Sequence, residues 1–100
     1  MNQARAAFAC CLNKQYGKIY VVGGSINQQE STNRCEEYSI DTDKWKDLPN
    51  FDEGLCSSSV ITVGQNAEKN GPKWLFSFGG ITKTEGQLNI VSYIYRLDLD

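Results

Sequence analysis

Residues 20–24 read YVVGG, an apolar run that ends in two adjacent glycines. β-Branched and aromatic residues are typical of strands, and glycine marks a bulge, a strand end or a close approach of backbone. The pattern returns as FSFGG at residues 76–80. A motif that recurs at this separation predicts one structural unit used twice.

Short apolar segments alternate with polar stretches along the rest of the chain, and helical periodicity is almost absent. Residue propensities are compatible with a short helix over residues 2–12. Alignment with the second unit favours a strand over 7–12. Polar stretches predict loops at 25–33, 64–73 and 81–89. The other predicted strands are 18–22, 34–40, 45–48, 57–63, 74–78 and 90–99.

The two units share an order of motif residues as well as the glycine pairs. The first unit has Arg5 before its first strand, whereas the second has Gly54 there and ends before the position that corresponds to Trp45. This order resembles the Kelch repeat. The residues that carry the resemblance are Gly23, Gly24, Tyr38 and Trp45, followed by Leu48-Pro49, in the first unit, and Gly79, Gly80 and Tyr95 in the second.

The resemblance implies an all-β fold: a fragment of a Kelch-type β-propeller with about two four-stranded antiparallel blades. Residues 1–53 would form the first blade, and 54–100 the second without its outermost strand. The remaining blades are then expected in a longer protein, because two blades cannot close a ring. We expect the glycines to allow close backbone approach or positive φ. We expect Tyr38 and Trp45 to fill the wedge between blades.

Composition restricts the partners. A formal net charge of −2 argues against general affinity for nucleic acid or an anionic membrane, and no apolar run is long enough to span a bilayer. The first residues lack the basic and apolar blocks of a signal peptide, so a cytoplasmic location is expected.

Catalytic and cofactor-binding patterns are lacking. The sequence contains no histidine, which excludes a Ser/His/Asp triad and a histidine-liganded metal within this chain. Its four cysteines do not form a C-x-x-C pair and are interpreted as buried free thiols, with redox or metal use as the alternative. Glu36 and Glu37 point to opposite faces of a strand and are interpreted as solvated charges. We expect no enzyme activity, no cofactor and no metal.

The function predicted from these observations is protein–protein interaction. Kelch propellers commonly act as scaffolds or as substrate-recognition parts of ubiquitin ligases, and rigid blades present variable loops to partners. The alternative is part of a Kelch-like enzyme, similar to galactose oxidase or to sialic acid mutarotase. Candidate partner-binding residues lie in the loops: Ser25, Asn27, Gln28, Glu30, Arg34, Asp52, Glu53, Lys83 and Glu85.

Overall fold

The computed structural model describes residues 1, 4–27, 30–51, 53–66, 71–85, 87–92 and 94–99. Gln28 and Asp52, two of the candidate loop residues, lie outside these ranges. Every regular element in the described ranges is a β-strand. The strands are β1 (Ala9–Asn13), β2 (Lys18–Val22), β3 (Cys35–Ser39), β4 (Lys44–Leu48), β5 (Ser59–Val63), β6 (Trp74–Phe78), β7 (Ile81–Thr84), β8 (Gln87–Ile90) and β9 (Ile94–Asp98).

The strands form two antiparallel sheets and a hairpin. The first sheet has the order β1-β2-β3-β4 and the second the order β5-β6-β9. Strands β7 and β8 pair with each other between β6 and β9 in the chain. β1 and β5 are the strands through which the two sheets lie closest.

Two sequence predictions are wrong in the second unit. Residues 81–89 were expected to form a loop, but they form most of the β7–β8 hairpin. Residues 90–99 were expected to form one strand, but Ile90 ends β8 and the last strand begins at Ile94. The hairpin was missed because β7 bonds to Cys56, which lies far away in sequence: Ile81 and Cys56 exchange two backbone hydrogen bonds of 2.8 Å.

The core lies between facing sides of the two sheets. Side chains alternate along a strand, so Tyr20 and Val22 share one face of the first sheet. That face packs against the face of the second sheet that carries Leu75 and Leu97. The segment that links the sheets supplies two further buried side chains, Phe51 and Leu55. Burial of these apolar groups is the main stabilising contribution to the packing of one sheet on the other.

The prediction that Glu36 and Glu37 are solvated charges is also wrong. The two residues are 0% and 8% exposed, respectively. Glu36 Oε2 accepts a hydrogen bond of 2.5 Å from Arg5, whose side chain is also 0% exposed. Glu37 accepts a hydrogen bond of 2.8 Å from the Tyr20 hydroxyl. Both carboxylates are buried because partners from other strands satisfy them, which strand alternation alone does not show.

Tyr38 and Trp45 do not fill the space between these two sheets. They pair across β3 and β4 with ring centroids 4.9 Å apart. Because side chains alternate along a strand, Tyr38 and Trp45 lie on the other face of the first sheet from Tyr20. That face points away from the second sheet. Tyr95 does lie between the sheets, stacked on Phe51 at 5.4 Å. The expectation that Tyr38 and Trp45 fill a wedge between blades stays a prediction for a neighbour on that outward face.

The cysteines are free but not uniformly buried. Cys10 is exposed and Cys11 is half-buried, whereas Cys35 and Cys56 are buried. The expectation of four buried thiols is wrong at Cys10, which lies on the outward face of β1.

We expect the exposed and the buried cysteines to differ in their rates of alkylation. Burial raises the pKa of Cys11 to about 11, and the neighbouring Cys10 adds to the effect; burial raises that of Cys35 to about 12. Because the thiolate reacts, only about one Cys11 in a thousand is reactive at pH 8. We expect iodoacetamide to modify Cys10 first, with Cys11 labelling rising towards pH 11, as read by mass spectrometry. In urea all four cysteines should react. If Cys35 in the native protein were labelled as fast as Cys10, the burial of Cys35 would be contradicted.

Candidate partner-binding surface

The loop after β2 and the β7–β8 hairpin meet on one side of the molecule. The Ser31 N–H donates to the Lys83 carbonyl at 3.3 Å, and the Lys83 N–H donates to Ser31 Oγ at 3.1 Å. The Lys83 ammonium also donates to Ser25 Oγ at 3.1 Å. We call this continuous area, formed by residues 25–27, 30–33, 81–85 and 87–90, the loop–hairpin surface.

Local hydrogen bonds hold the described residues of the first loop in place before any partner arrives. Asn27 Oδ1 accepts the Glu30 N–H at 2.9 Å, and Ser25 Oγ donates to the Asn27 carbonyl at 2.9 Å. The Ile26 N–H donates to the Glu30 carbonyl at 3.2 Å. Asparagine and serine favour such turns because their short side chains bond nearby backbone. Residues held in this way lose little further entropy on binding.

An open groove of about 400 Å³ lies on this surface. Lys83 is one of its lining residues. Among the described residues, no carboxylate lies within 4.0 Å of the Lys83 ammonium. A cation with no ion pair to a described residue, beside apolar walls, suits a ligand that has both an acidic and an apolar part. The groove is lined by Ala6, Ala7, Ser25, Ile26, Asn27 and Lys83.

The structure brings together three of the candidate residues, because Ser25, Asn27 and Lys83 line this groove. Glu30 and Glu85 are exposed on the same two segments, and Glu85 has φ 52° at the hairpin turn.

Two other candidates lie away from the groove and serve the framework. Arg34 forms an exposed ion pair with Asp47 on the neighbouring outer strand, at 2.8 Å. Glu53 accepts a hydrogen bond of 2.5 Å from the Tyr95 hydroxyl.

Sequence reasoning missed the apolar part of the loop–hairpin surface. Leu88 is 61% exposed and Ile90 is 88% exposed, and Ile26 is also exposed. The sequence feature that could have predicted it is the alternation of leucine and isoleucine with polar residues in QLNI, residues 87–90. That pattern is typical of a strand with one apolar face.

A second cavity, of about 190 Å³, lies at the edge of the contact between the sheets. Its polar groups bind one another, since Glu37 accepts from Tyr20 and from Lys18 Nζ at 3.3 Å. Burial and the hydrogen bond to Glu37 raise the pKa of Tyr20, which keeps its hydroxyl a donor. We interpret this cavity as part of the framework.

Two other kinds of site are absent from the described ranges. No group of three or more metal-ligating side chains comes together there. In the same part of the chain, no helix has the length and apolar character to cross a membrane.

Comparison with known proteins identifies the family. A family model described as the Kelch motif matches residues 5–51. The match contains Arg5, the first glycine pair, Tyr38 and Trp45. Residues 5–51 are therefore a Kelch repeat.

Relatives of this Kelch-repeat chain are much longer than it is. It is 30% identical over 95 residues to F-box/kelch-repeat protein SKIP20 of Arabidopsis thaliana, spanning 95% of this chain and 21% of that protein. It is 30% identical over 87 residues to Kelch-like protein 40 of Xenopus tropicalis, spanning 87% of this chain and 12% of that protein.

A solved structure, that of YjhT, matches with a TM-score of 0.55 at 19% identity. The match covers 79% of this chain and 21% of the YjhT chain, and it is evidence of fold alone. The prediction of an all-β, Kelch-type propeller architecture is confirmed, and the two sheets are its blades.

Proposed function

We propose that this Kelch-repeat chain is a non-catalytic protein-interaction module and that the loop–hairpin surface is where it binds. The observation that supports this most directly is the contact of Lys83 with Ser25 and Ser31, which joins loops of two successive blades into one surface. Binding surfaces made from ordered loops on a rigid framework are typical of proteins that recognise other proteins.

Two features favour a protein partner for this surface. Exposed apolar side chains lie beside an ordered cation, as at Leu88 and Lys83, and apolar contact combined with charge recognition is typical of protein interfaces. The relatives include an F-box/kelch-repeat protein. We propose that the whole protein likewise pairs its Kelch units with another domain, and that further blades complete the propeller.

Lys83→Glu tests the proposal by reversing the charge at the groove. We expect affinity for a partner captured from the source organism to fall by about tenfold or more, because a like charge would replace a complementary one. The measurement is quantitative mass spectrometry of captured proteins, followed by titration of the strongest.

Lys44→Glu is the matched control, since Lys44 is an exposed lysine at the start of β4, away from the surface. It makes the same change in net charge and should leave capture unchanged. Equal capture by both variants would overturn the assignment of this surface. A comparison of their unfolding curves separates lost binding from lost folding.

A further inference from the structure

Residues 54–56, which belong to the segment that links the two sheets, bond to the first loop and to the hairpin. On one side, the Leu55 N–H donates to the Thr32 carbonyl at 3.2 Å. On the other side, Cys56 and Ile81 exchange two backbone hydrogen bonds of 2.8 Å. The position of this segment therefore affects both parts of the loop–hairpin surface.

Ser31 joins the first loop directly to the hairpin. Its N–H donates to the Lys83 carbonyl at 3.3 Å, and its Oγ accepts the Lys83 N–H at 3.1 Å. Both lengths lie near or beyond the upper end of the usual range for N–H···O hydrogen bonds. A small displacement of Ser31 is therefore sufficient to break both bonds to Lys83.

Gly54 lies directly against Ser31. A Cβ added at Gly54 would lie 2.4 Å from the Ser31 carbonyl oxygen, 2.8 Å from its carbonyl carbon and 2.9 Å from its Oγ. The two nearest atoms belong to the backbone, so rotation of the serine side chain cannot relieve the clash. An ordinary contact distance would require Ser31 to move by roughly 1 Å. The lack of a side chain at Gly54 therefore allows Ser31 to occupy its position.

Space, and not backbone conformation, is the reason for a glycine here. The φ of Gly54 lies outside the left-handed region, in contrast with those of Gly23 and Gly79. The backbone of residue 54 is thus compatible with alanine, which would also lower the entropy of the unfolded chain. The cost of a side chain arises from the contact with Ser31, and that contact lies within the two blades of this chain.

We propose that Gly54 is a positioning residue of the loop–hairpin surface, which sets the place of Lys83 in the groove through Ser31. Ser31 holds the Lys83 backbone, while Ser25 Oγ accepts a hydrogen bond from its ammonium at 3.1 Å. A lysine held at both ends loses little entropy when it binds a carboxylate. The inference rests on the proposed function and extends it to a residue outside the groove lining.

Hydrogen exchange of single backbone amides, measured by NMR on the full chain, tests the positioning without a partner. In Gly54→Ala we expect the Lys83 N–H to exchange about tenfold faster or more, because it loses its acceptor on Ser31. The amides between β2 and β3 should keep their rates, since the clash is local. An unchanged rate at Lys83 would overturn the proposal.

Gly71→Ala is the matched control for this exchange measurement. It makes the same substitution at another glycine outside the left-handed region, and an added Cβ there would meet no atom within 4 Å. The Lys83 N–H should keep its native rate in this variant. Equal acceleration in both variants would show that the contact between Gly54 and Ser31 is not the cause, and would overturn the proposal.

Ser31→Ala covers the case in which Gly54→Ala does not fold. It removes the Oγ that accepts the Lys83 N–H and introduces no clash with Gly54. The Lys83 N–H should therefore exchange faster in this variant too. A Lys83 amide that stays protected would show that Ser31 does not hold it, which would overturn the proposal.

A double-mutant cycle connects the positioning to binding. The ligand is the protein captured and titrated in the Lys83→Glu experiment. Gly54→Ala should weaken its binding by about fivefold in the native background and leave it unchanged when Lys83→Ala is already present, because the effect passes through Lys83. Equal weakening in both backgrounds would assign Gly54 a general structural role and overturn the proposal. If no captured protein responds to Lys83→Glu, the proposed function fails, whereas exchange of the Lys83 amide still decides the positioning.

Discussion

Arg5→Ala is expected to lower the free energy of unfolding by about 3–5 kcal/mol. Arg5 and Glu36 form an ion pair with both side chains fully buried, and Arg5 also donates to the carbonyls of Gly23 and Arg34, each at 2.8 Å. Removal of the guanidinium leaves the Glu36 carboxylate buried with less compensation and two carbonyls without this donor. Urea unfolding followed by tryptophan fluorescence measures the loss.

Arg34→Ala is the matched control for this change. Its ion pair with Asp47 is exposed, and such pairs contribute about 0–1 kcal/mol. The double variant Arg5→Met with Glu36→Leu should recover part of the loss, because apolar groups often replace a buried ion pair without penalty. A loss below about 1 kcal/mol for Arg5→Ala would show that the pair is solvated in solution.

Gly23→Ala is expected to destabilise the chain by about 3 kcal/mol or more. Gly23 has φ 63°, which disfavours residues with a side chain, and an added Cβ would lie 2.1 Å from the Leu55 carbonyl oxygen. That carbonyl also accepts the Gly24 N–H at 2.6 Å, so it cannot move away without breaking the contact between the first blade and the linking segment.

Gly79→Ala separates the cost of the positive φ from the cost of the close approach to Leu55. Gly79 has nearly the same φ, 62°, but an added Cβ there would meet only the Val91 carbonyl oxygen, at an ordinary 3.5 Å. We expect it to cost about 1–2 kcal/mol, the strain of the left-handed conformation alone. Thermal unfolding of both variants compares them, and equal losses would show that the close approach to Leu55 contributes nothing.

Local sequence predicted most of the strands well. The bounds of β2 and β6 agree with the prediction, because each is a dense run of β-forming residues that stops at a glycine pair. The order of motif residues identified the family, which the comparison confirms. These features depend on neighbours in the sequence, where propensity and turn chemistry act.

The candidate surface was only partly predictable. Lys83 and Ser25 were selected as polar loop residues, but their contact joins positions far apart in the chain. Leu88 and Ile90 were placed in a loop and a last strand, although both lie in β8 and pair with β7. Partners from the preceding blade hold β7 in place, and the sequence around β7 does not predict them.

The sequence by itself determined the all-β class and the repeat, since strand periodicity and glycine conformation are local properties, and the Kelch-type architecture followed from the resemblance of the motif order to a known family. Only the tertiary structure decided which charges are buried, which face Tyr38 and Trp45 occupy, and where the loop–hairpin surface forms. The burial of Glu36 is the plainest example: a carboxylate on a strand is solvated or buried according to whether a partner such as Arg5 reaches it across the fold.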